Sequence, residues 1–151
     1  MLQIVWFKRD LRAVDHEPLC CAAERGPVLP LYIVEPELWR QPDMSARHWG
    51  FWREALQSLR DDLARCGQPL VIRQGEAVAV LRALLREHPV AALWSHQETG
   101  NAWTYRRDRR VGELLRDTGV AWHQARQHGI VRGRLDRDRW SRQWEALMTS
   151  A

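Results

Sequence analysis

The chain has 151 residues and an apolar fraction of 45%, so its composition predicts one folded domain and excludes an intrinsically disordered protein. Basic residues outnumber acidic ones by 23 to 19, and because Lys8 is the only lysine, arginine supplies nearly all of the positive charge. Arginine suits the binding of phosphate or carboxylate, although a codon bias toward arginine explains the same composition. The chain has no secretory leader and no apolar run near 18 residues, so a cytoplasmic protein outside the membrane is predicted.

The cysteine and histidine patterns argue against disulfides and metal sites. Cys20, Cys21 and Cys66 are odd in number and form no C-x-x-C pair, so reduced thiols in the core are predicted. His96 and His128 lack further ligands at metal-binding spacing, so no metal site is predicted.

Apolar runs alternate with apolar stripes of helical period. Short unbroken apolar runs predict buried strands, whereas spacings of three and four, as in Trp52, Leu56 and Leu59, predict amphipathic helices. Ser45 is a predicted N-cap, and Gly67 a predicted helix end. In chain order, the predicted elements are a strand at residues 2–7, a helix at 17–25, a strand at 28–34, a helix at 46–66, a strand at 69–73, a helix at 76–88, a strand at 90–95, a helix at 102–118 and a weaker strand at 120–124.

This alternation predicts a doubly wound α/β domain, a five-stranded parallel sheet with helices on both faces. The alternation stops at residue 127, and a short amphipathic helix is predicted at residues 138–148. We expect at least one of Trp140 and Trp144, which lie one turn apart on this helix, to be exposed and to mark a contact with another domain. Four earlier tryptophans are assigned to core packing rather than to electron transfer: Trp6, Trp49, Trp52 and Trp94.

Charged side chains follow the first predicted strand directly. Lys8, Arg9, Asp10 and Arg12 come where open α/β sheets bind their ligands, at the carboxyl end of a strand. The sequence has no glycine-rich phosphate loop, which argues against ATP pyrophosphatases and universal-stress-type proteins. A phosphoacceptor receiver domain is also excluded, because it needs acidic residues where this chain has Lys8, Arg9 and, after the third strand, residues 73–74.

The stretch WFKRDLRAVDHEPL at residues 6–19 resembles the opening signature of the DNA photolyase and cryptochrome family, W-F-R-R-D-L-R-x-x-D-N-x-x-L. Lys8 and His16 stand where the family more often has arginine and asparagine. Further stretches extend the resemblance over nearly the whole chain: LPLYIVEP at residues 29–36, LWSHQETGN at 93–101, RRD at 106–108, Trp122, GIVR at 129–132 and DRW at 138–140.

The resemblance implies a Rossmann-like sheet with the strand order 3-2-1-4-5. Residues 1–126 then correspond to the family's N-terminal α/β domain, and residues 127–151 to the start of the interdomain linker. Family members continue into a helical domain that binds FAD, holds a tryptophan electron-transfer chain and binds damaged DNA, and this domain is absent from the sequence. The parent protein is expected to repair pyrimidine dimers by light-driven electron transfer from reduced FAD. The fragment, without catalytic residues, is expected to be inactive alone.

In family members the α/β domain binds an antenna chromophore, which is a folate, a deazaflavin or flavin mononucleotide (FMN). The resemblance implies binding residues after predicted strand 1, at the end of strand 2 and after strand 4: Arg9, Asp10, Leu11, Ile33, Val34, Glu35, Gln97, Glu98 and Asn101. Asp10 and Glu98 are expected to accept hydrogen bonds and Arg9 to meet a carbonyl or phosphate, although Asp10 suits a salt bridge with Arg9 or Arg12 equally well. Deazaflavin-binding members usually have an aspartate near Gln97, so a scaffold or photoreceptor module without a chromophore remains an alternative.

Structural roles are favoured for the other charged residues. Asp15 is expected to brace its loop by pairing with Arg107 or Arg109. The run at residues 106–110 is expected to be a solvated helix surface rather than a phosphate-binding face, because a helix distributes these residues around its circumference and Asp108 interrupts them.

Overall fold

The computed structural model describes residues 1–127 and 139–149, and it contains a five-stranded, all-parallel sheet with the order β3-β2-β1-β4-β5. The strands are β1 (Leu2–Phe7), β2 (Val28–Val34), β3 (Val71–Gln74), β4 (Val90–His96) and β5 (Ala121–Ala125). The helices are α1 (Glu17–Ala23), α2 (Pro36–Trp39), α3 (Ala46–Arg65), α4 (Ala77–Glu87), α5 (Ala102–Thr118) and α6 (Trp140–Thr149). The predicted doubly wound fold and its strand order are confirmed. No helix within the two described ranges is long and apolar enough to cross a membrane.

The central strand β1 separates two apolar cores. Ile4 and Trp6 pack in the core formed with α4 and α5, whereas Val5 and Phe7 pack in the core formed with α1 and α3. These four side chains are at most 1% exposed, which explains why the strand shows no polar alternation. The carboxyl end of β1 is therefore held from both faces, and the charged residues after it start from a rigid position.

Most predicted boundaries lie within two residues of the observed ones. The element that was missed is α2, a single turn after Glu35 that is too short to show a helical period. Three features fall outside the described residues: His128, the exit segment at residues 129–132 and Asp138 at the start of the predicted last helix.

Two predictions about burial are wrong, and one is confirmed. Trp49 is not in the core, since its side chain is 37% exposed. Its ring packs edge-on against that of Trp39, with 4.9 Å between the ring centroids. The thiols are free but do not lie in the core, since Cys20 and Cys66 are exposed and Cys21 is half-buried. The expected exposure in the last helix is confirmed for both indoles there, at 41% and 43%.

Two glycine-to-alanine substitutions are expected to change the free energy of unfolding in opposite directions. Gly119 follows α5 with φ 70°, a left-handed conformation that costs an alanine about 1 kcal/mol, so Gly119→Ala should lower the free energy of unfolding by about that amount. Gly50 lies inside α3 with open space where the Cβ of an alanine would lie, so Gly50→Ala should raise it by about 0.5–1 kcal/mol. Urea denaturation measures both changes, and shifts of the same sign would contradict these assignments.

Candidate ligand-binding site

Three loops meet at the carboxyl edge of the sheet. Arg9 and Asp10 follow β1, Glu35 is the N-cap residue of α2 directly after β2, and Glu98 follows β4. The chain passes from β1 to β2 and β3 on one side and to β4 and β5 on the other, so the winding reverses between β1 and β4. Open α/β sheets bind ligands outside the carboxyl ends of their strands at such a reversal.

Arg107 of α5 joins these loops through a buried ion network. Its guanidinium donates to Glu35 Oε2 at 2.7 Å, to Glu98 Oε2 in a short contact, and to Asp108 Oδ1 at 2.9 Å. The Arg107 side chain is only 5% exposed, and its guanidinium lies over the Trp6 ring, 4.8 Å from the centroid. Burial opposes the charge, but the three carboxylates outweigh this effect and raise the Arg107 pKa.

Lys8 and Arg9 extend the network on the β1 side. Lys8 Nζ donates to Asp108 Oδ2 at 3.3 Å and lies 4.8 Å from the Trp6 ring centroid, and its burial lowers the Lys8 pKa. Burial raises the pKa of Asp108, but the nearby Lys8 and Arg107 cations outweigh burial and hold it below its usual value. Arg9 is 38% exposed at its side chain and donates from Nε to Glu98 Oε1 at 2.9 Å. The network thus leads from the core to the surface.

Asp10 belongs to a separate buried cluster. Its Oδ1 accepts from the Lys8 backbone N–H at 2.8 Å, and its Oδ2 lies 2.8 Å from His16 Nε2 and 2.5 Å from His96 Nδ1. Burial raises the pKa of the Asp10 carboxyl, but hydrogen bonds from His16, His96 and the Lys8 amide overcome burial and lower it far below its usual value. The expected salt bridge between Asp10 and Arg9 or Arg12 is wrong, because the two histidines occupy the carboxylate.

The expected roles of the other charged residues also need correction. Arg12 donates to the Asp15 backbone carbonyl at 2.9 and 3.1 Å, so this loop is braced without Arg107 or Arg109. The run at residues 106–110 is not wholly solvated, since Arg107 and Asp108 are 5% and 6% exposed. Both residues share the buried side of α5, and this accounts for the difference.

A narrow cleft opens between the carboxyl ends of β1 and β2. It is lined by Arg9, Glu35, Glu98 and the predicted Ile33, and by residues not predicted to bind: Trp6, Phe7, Lys8, Tyr32, Leu38, Met44, Trp52 and Arg107. The cavity volume is ≈ 10 Å³, about the space of one water molecule.

Glu35 is a buried carboxylate of this cleft, 3% exposed. Its Oε2 accepts from Arg107, and the carboxylate also receives a hydrogen bond from the Ala77 backbone amide. Burial outweighs these donors and raises the Glu35 pKa, and it also raises the pKa of the neighbouring Tyr32 phenol.

The remaining predicted residues are placed elsewhere. Leu11 and Val34 pack at the margin of the core under α1 and α3. Asn101 caps α5, accepting at Oδ1 from the amides of Trp103 and Thr104, and its side-chain amide donates to Asp43. Gln97 lines a second crevice, between β1 and β4, of ≈ 210 Å³. The structure therefore gathers part of the predicted set, and assigns helix capping or core packing to the rest.

Asp10, His16 and His96 have metal-ligand chemistry, and their candidate ligand atoms lie within 4.8 Å of one another. The hydrogen bonds do not fit a metal, however. His16 Nδ1 accepts from the Leu19 amide at 3.1 Å, whereas a histidine that ligates through Nε2 carries its proton on Nδ1 and donates it. The cluster is therefore a carboxylate that accepts hydrogen bonds from two imidazole N–H groups.

Sequence reasoning did not assign Arg107 or His96 to the site, although a signal for Arg107 was present. The buried residues of α5 recur at spacings of one, three and four: Thr104, Arg107, Asp108, Val111, Leu114 and Leu115. Because Arg107 and Asp108 continue the apolar stripe, the helical period places them against the sheet. His96 has no comparable signal, since its partner Asp10 is distant in sequence.

Comparisons with known proteins agree with this architecture. The family model described as DNA photolyase matches residues 3–136. A deoxyribodipyrimidine photo-lyase of Agrobacterium fabrum is 35% identical over 121 residues, which is 78% of this chain and 24% of that protein. A chloroplastic/mitochondrial cryptochrome DASH of Arabidopsis thaliana is 32% identical over 103 residues, or 64% of this chain and 18% of that protein.

A solved structure shows the same relation. The archaeal photolyase from Sulfolobus tokodaii, described with two FAD molecules and a novel light-harvesting cofactor, superposes with a TM-score of 0.75 at 26% identity. The matched region covers 86% of this chain and 30% of that one. The chain thus spans less than a third of each of these three relatives.

Proposed function

Because this chain belongs to the DNA photolyase family, we propose that its α/β domain binds a light-harvesting antenna chromophore at the cleft between β1 and β2. The observation that carries the proposal is the convergence of three charged side chains, Arg9, Glu35 and Glu98, on one cleft at the carboxyl edge of the sheet. The rings of Tyr32 and Trp52 line the same cleft and offer flat apolar contacts. A small number of fixed polar groups on an apolar wall is the composition of ligand sites in general.

Each side chain has a distinct part in this proposal. When bound, a folate, deazaflavin or FMN would supply the light absorption and pass excitation energy to a flavin. The partly exposed Arg9 donates to a carbonyl, carboxylate or phosphate of the chromophore, and Glu35 and Glu98 line the cleft beside it. Arg107 holds Glu35 and Glu98 in place through its two ion pairs. The domain itself transfers neither electrons nor protons.

Entry of a chromophore requires the cleft to widen. Its present volume holds about one water molecule, and Leu38, Met44 and Trp52 occupy the space in front of the ion network. Leu38 lies on the single-turn helix α2 and Met44 on the loop after it. Widening therefore requires α2, the loop after it and the Trp52 side chain of α3 to shift away from the Arg107 network.

We further propose that residues 1–126 act beside a helical FAD-binding domain, on the same or a separate polypeptide, with residues 127–151 leading toward it. Its reduced FAD would repair pyrimidine dimers in DNA, and the name of the Agrobacterium relative supports this reaction. The two FAD molecules of the Sulfolobus photolyase support a second chromophore in the family. Trp140 and Trp144 are exposed, with 6.4 Å between their ring centroids, and offer an apolar contact for such a domain.

A second candidate function is a scaffold or photoreceptor module without an antenna. The observation in its favour is the same small cavity, in which Arg9 and Arg107 already donate to the two oxygens of Glu98, and Arg107 donates to one oxygen of Glu35. Under this alternative the ion network serves stability alone.

A binding titration separates the two functions. FMN, a reduced folate and a deazaflavin are added in turn to the purified chain, and absorbance and quenching of tryptophan fluorescence are recorded. We expect saturable binding of one of them, weakened about tenfold by Arg9→Met, since one charge-assisted contact contributes about 1.4 kcal/mol. The matched control is Arg106→Met on the exposed side of α5, which should leave the affinity unchanged. Absence of binding by all three would favour the scaffold.

A further inference from the structure

The crevice between β1 and β4 lies at the reversal of the winding and contains a buried histidine. Its lining combines the residues after β1 with those after β4, in a volume of ≈ 210 Å³: Lys8, Arg9, Asp10, His96, Gln97, Glu98, Thr99 and Gln127. This volume is below the roughly 300–1,000 Å³ of pockets that enclose a whole ligand. The crevice therefore suits one edge of a ligand that extends from the adjoining cleft, with which it shares Lys8, Arg9 and Glu98.

Hydrogen bonds determine where the two histidines carry their protons. His16 Nδ1 accepts from the Leu19 amide, so its proton is on Nε2 and is donated to Asp10 Oδ2. Asp10 is ionised and accepts only, so His96 donates its Nδ1–H to the same oxygen. In the neutral form of the ring, a proton on Nδ1 leaves the lone pair on Nε2. The two histidines that donate to Asp10 are thus different tautomers, with the proton on Nε2 in His16 and on Nδ1 in His96.

The carboxylates of the crevice are already engaged. Asp10 accepts three N–H groups, and Glu98 accepts from Arg9 on one oxygen and from Arg107 on the other. His96 is 5% exposed and lines the crevice. Among the described residues, the hydrogen bond found for its ring is the one at Nδ1. A ligand N–H donor that enters the crevice can therefore bond to Nε2.

We propose that His96 is a binding residue whose Nε2 accepts a hydrogen bond from the ring N–H of the chromophore. This inference rests on the proposed function and assigns to His96 the recognition that sequence reasoning had given to Asp10. Pteridines, flavins and deazaflavins share a pyrimidine-type ring edge with one N–H next to a carbonyl, and in flavins and deazaflavins this N–H lies between two carbonyls. The N–H meets His96, and Asp10 fixes the tautomer that keeps Nε2 ready to accept. Asp10 is therefore a positioning residue.

The contact is tested by changing the ring N–H of the ligand and the His96 side chain separately. Lumiflavin and 3-methyllumiflavin differ only in the ring N–H, which the methyl group replaces. We expect the wild-type chain to bind lumiflavin at least tenfold more tightly, and His96→Leu to bind both with similar affinity. His96→Gln, which retains an acceptor and can donate to Asp10, should recover part of the preference. Equal binding of both flavins by the wild-type chain would overturn the inference and leave antenna binding intact.

A measurement without a ligand gives an independent test. ¹⁵N NMR of the histidine rings should show His96 protonated at Nδ1 and His16 at Nε2 in the neutral form. Whichever chromophore binds should then shift the His96 Nε2 resonance. A proton on His96 Nε2 in the neutral ring, or an Nε2 resonance that saturation leaves unmoved, would overturn the inference. If the wild-type chain binds no lumiflavin, FMN, folate or deazaflavin, the proposed function fails, and this inference fails with it.

Discussion

Replacing Arg107 with methionine is expected to lower the free energy of unfolding by about 3–5 kcal/mol, because it leaves buried carboxylates without their cation. Glu35 loses its ion pair, and Glu98 retains only the partly exposed Arg9 among its arginine partners. Glu35 is 3% exposed, so water cannot replace the guanidinium there. Methionine retains most of the apolar stem, so the loss reports on the charge rather than on packing.

Urea denaturation at neutral pH measures the Arg107 effect directly. Arg106→Met is the matched control, since it makes the same change on the exposed side of the same helix and should stay within about 0.5 kcal/mol of the wild type. Arg107→Lys should fall between the two, because lysine keeps the charge but not the fork that contacts three carboxylates. Equal stabilities for the Arg107 and Arg106 variants would contradict the assigned network.

Asp10→Asn is expected to lower the free energy of unfolding by about 2–4 kcal/mol at neutral pH. The carboxylate accepts three N–H groups, and an asparagine offers one oxygen and turns an NH₂ donor toward the others. Asp15→Asn is the control from the same loop. Asp15 is exposed with φ 52°, a conformation that asparagine tolerates, so its replacement should have little effect.

The pH dependence of stability gives the sign of the Asp10 interaction. The folded state holds the Asp10 pKa far below its unfolded value near 3.8, so the stabilisation is complete above that value and declines as the pH falls below about 4. Asp108, with its lowered pKa, contributes in the same direction. Urea midpoints measured from pH 7 to pH 3 should therefore fall less steeply for Asp10→Asn than for the wild type. Parallel curves would show that Asp10 is not the carboxylate responsible.

The parts of the fold that follow from local pattern were predictable from the sequence. The apolar run of β1 and the cap at Ser45 appear where the periodicity places them, and Ser45 Oγ accepts from the His48 amide. The winding of the sheet was implied by the family signature at its first turn. Helix α2 was missed because a single turn has no period to detect. Trp49 was misassigned because it lies in the first turn of α3, where its ring packs against Trp39 and stays partly exposed.

The candidate site was predicted at the level of its loops but not of its contacts. Sequence order identified Arg9, Glu35 and Glu98 as neighbours, because the carboxyl ends of parallel strands share one edge. Which cation each carboxylate would receive depends on the crossing of α5 over this edge, and that crossing brings Arg107 to Glu35 and Glu98. The two histidines on Asp10 come from a loop and a distant strand, so only tertiary structure joins them.

Mapping a bound chromophore onto the ¹⁵N-labelled chain by NMR would test most directly whether the carboxyl edge of the sheet is a ligand site. Saturation with the chromophore that binds should move the backbone amides of Arg9, Glu35 and Glu98, while amides at the opposite edge, such as that of Leu2, stay in place. Changes centred elsewhere, or none at all at saturating concentrations of all three chromophore classes, would contradict an antenna site in this cleft.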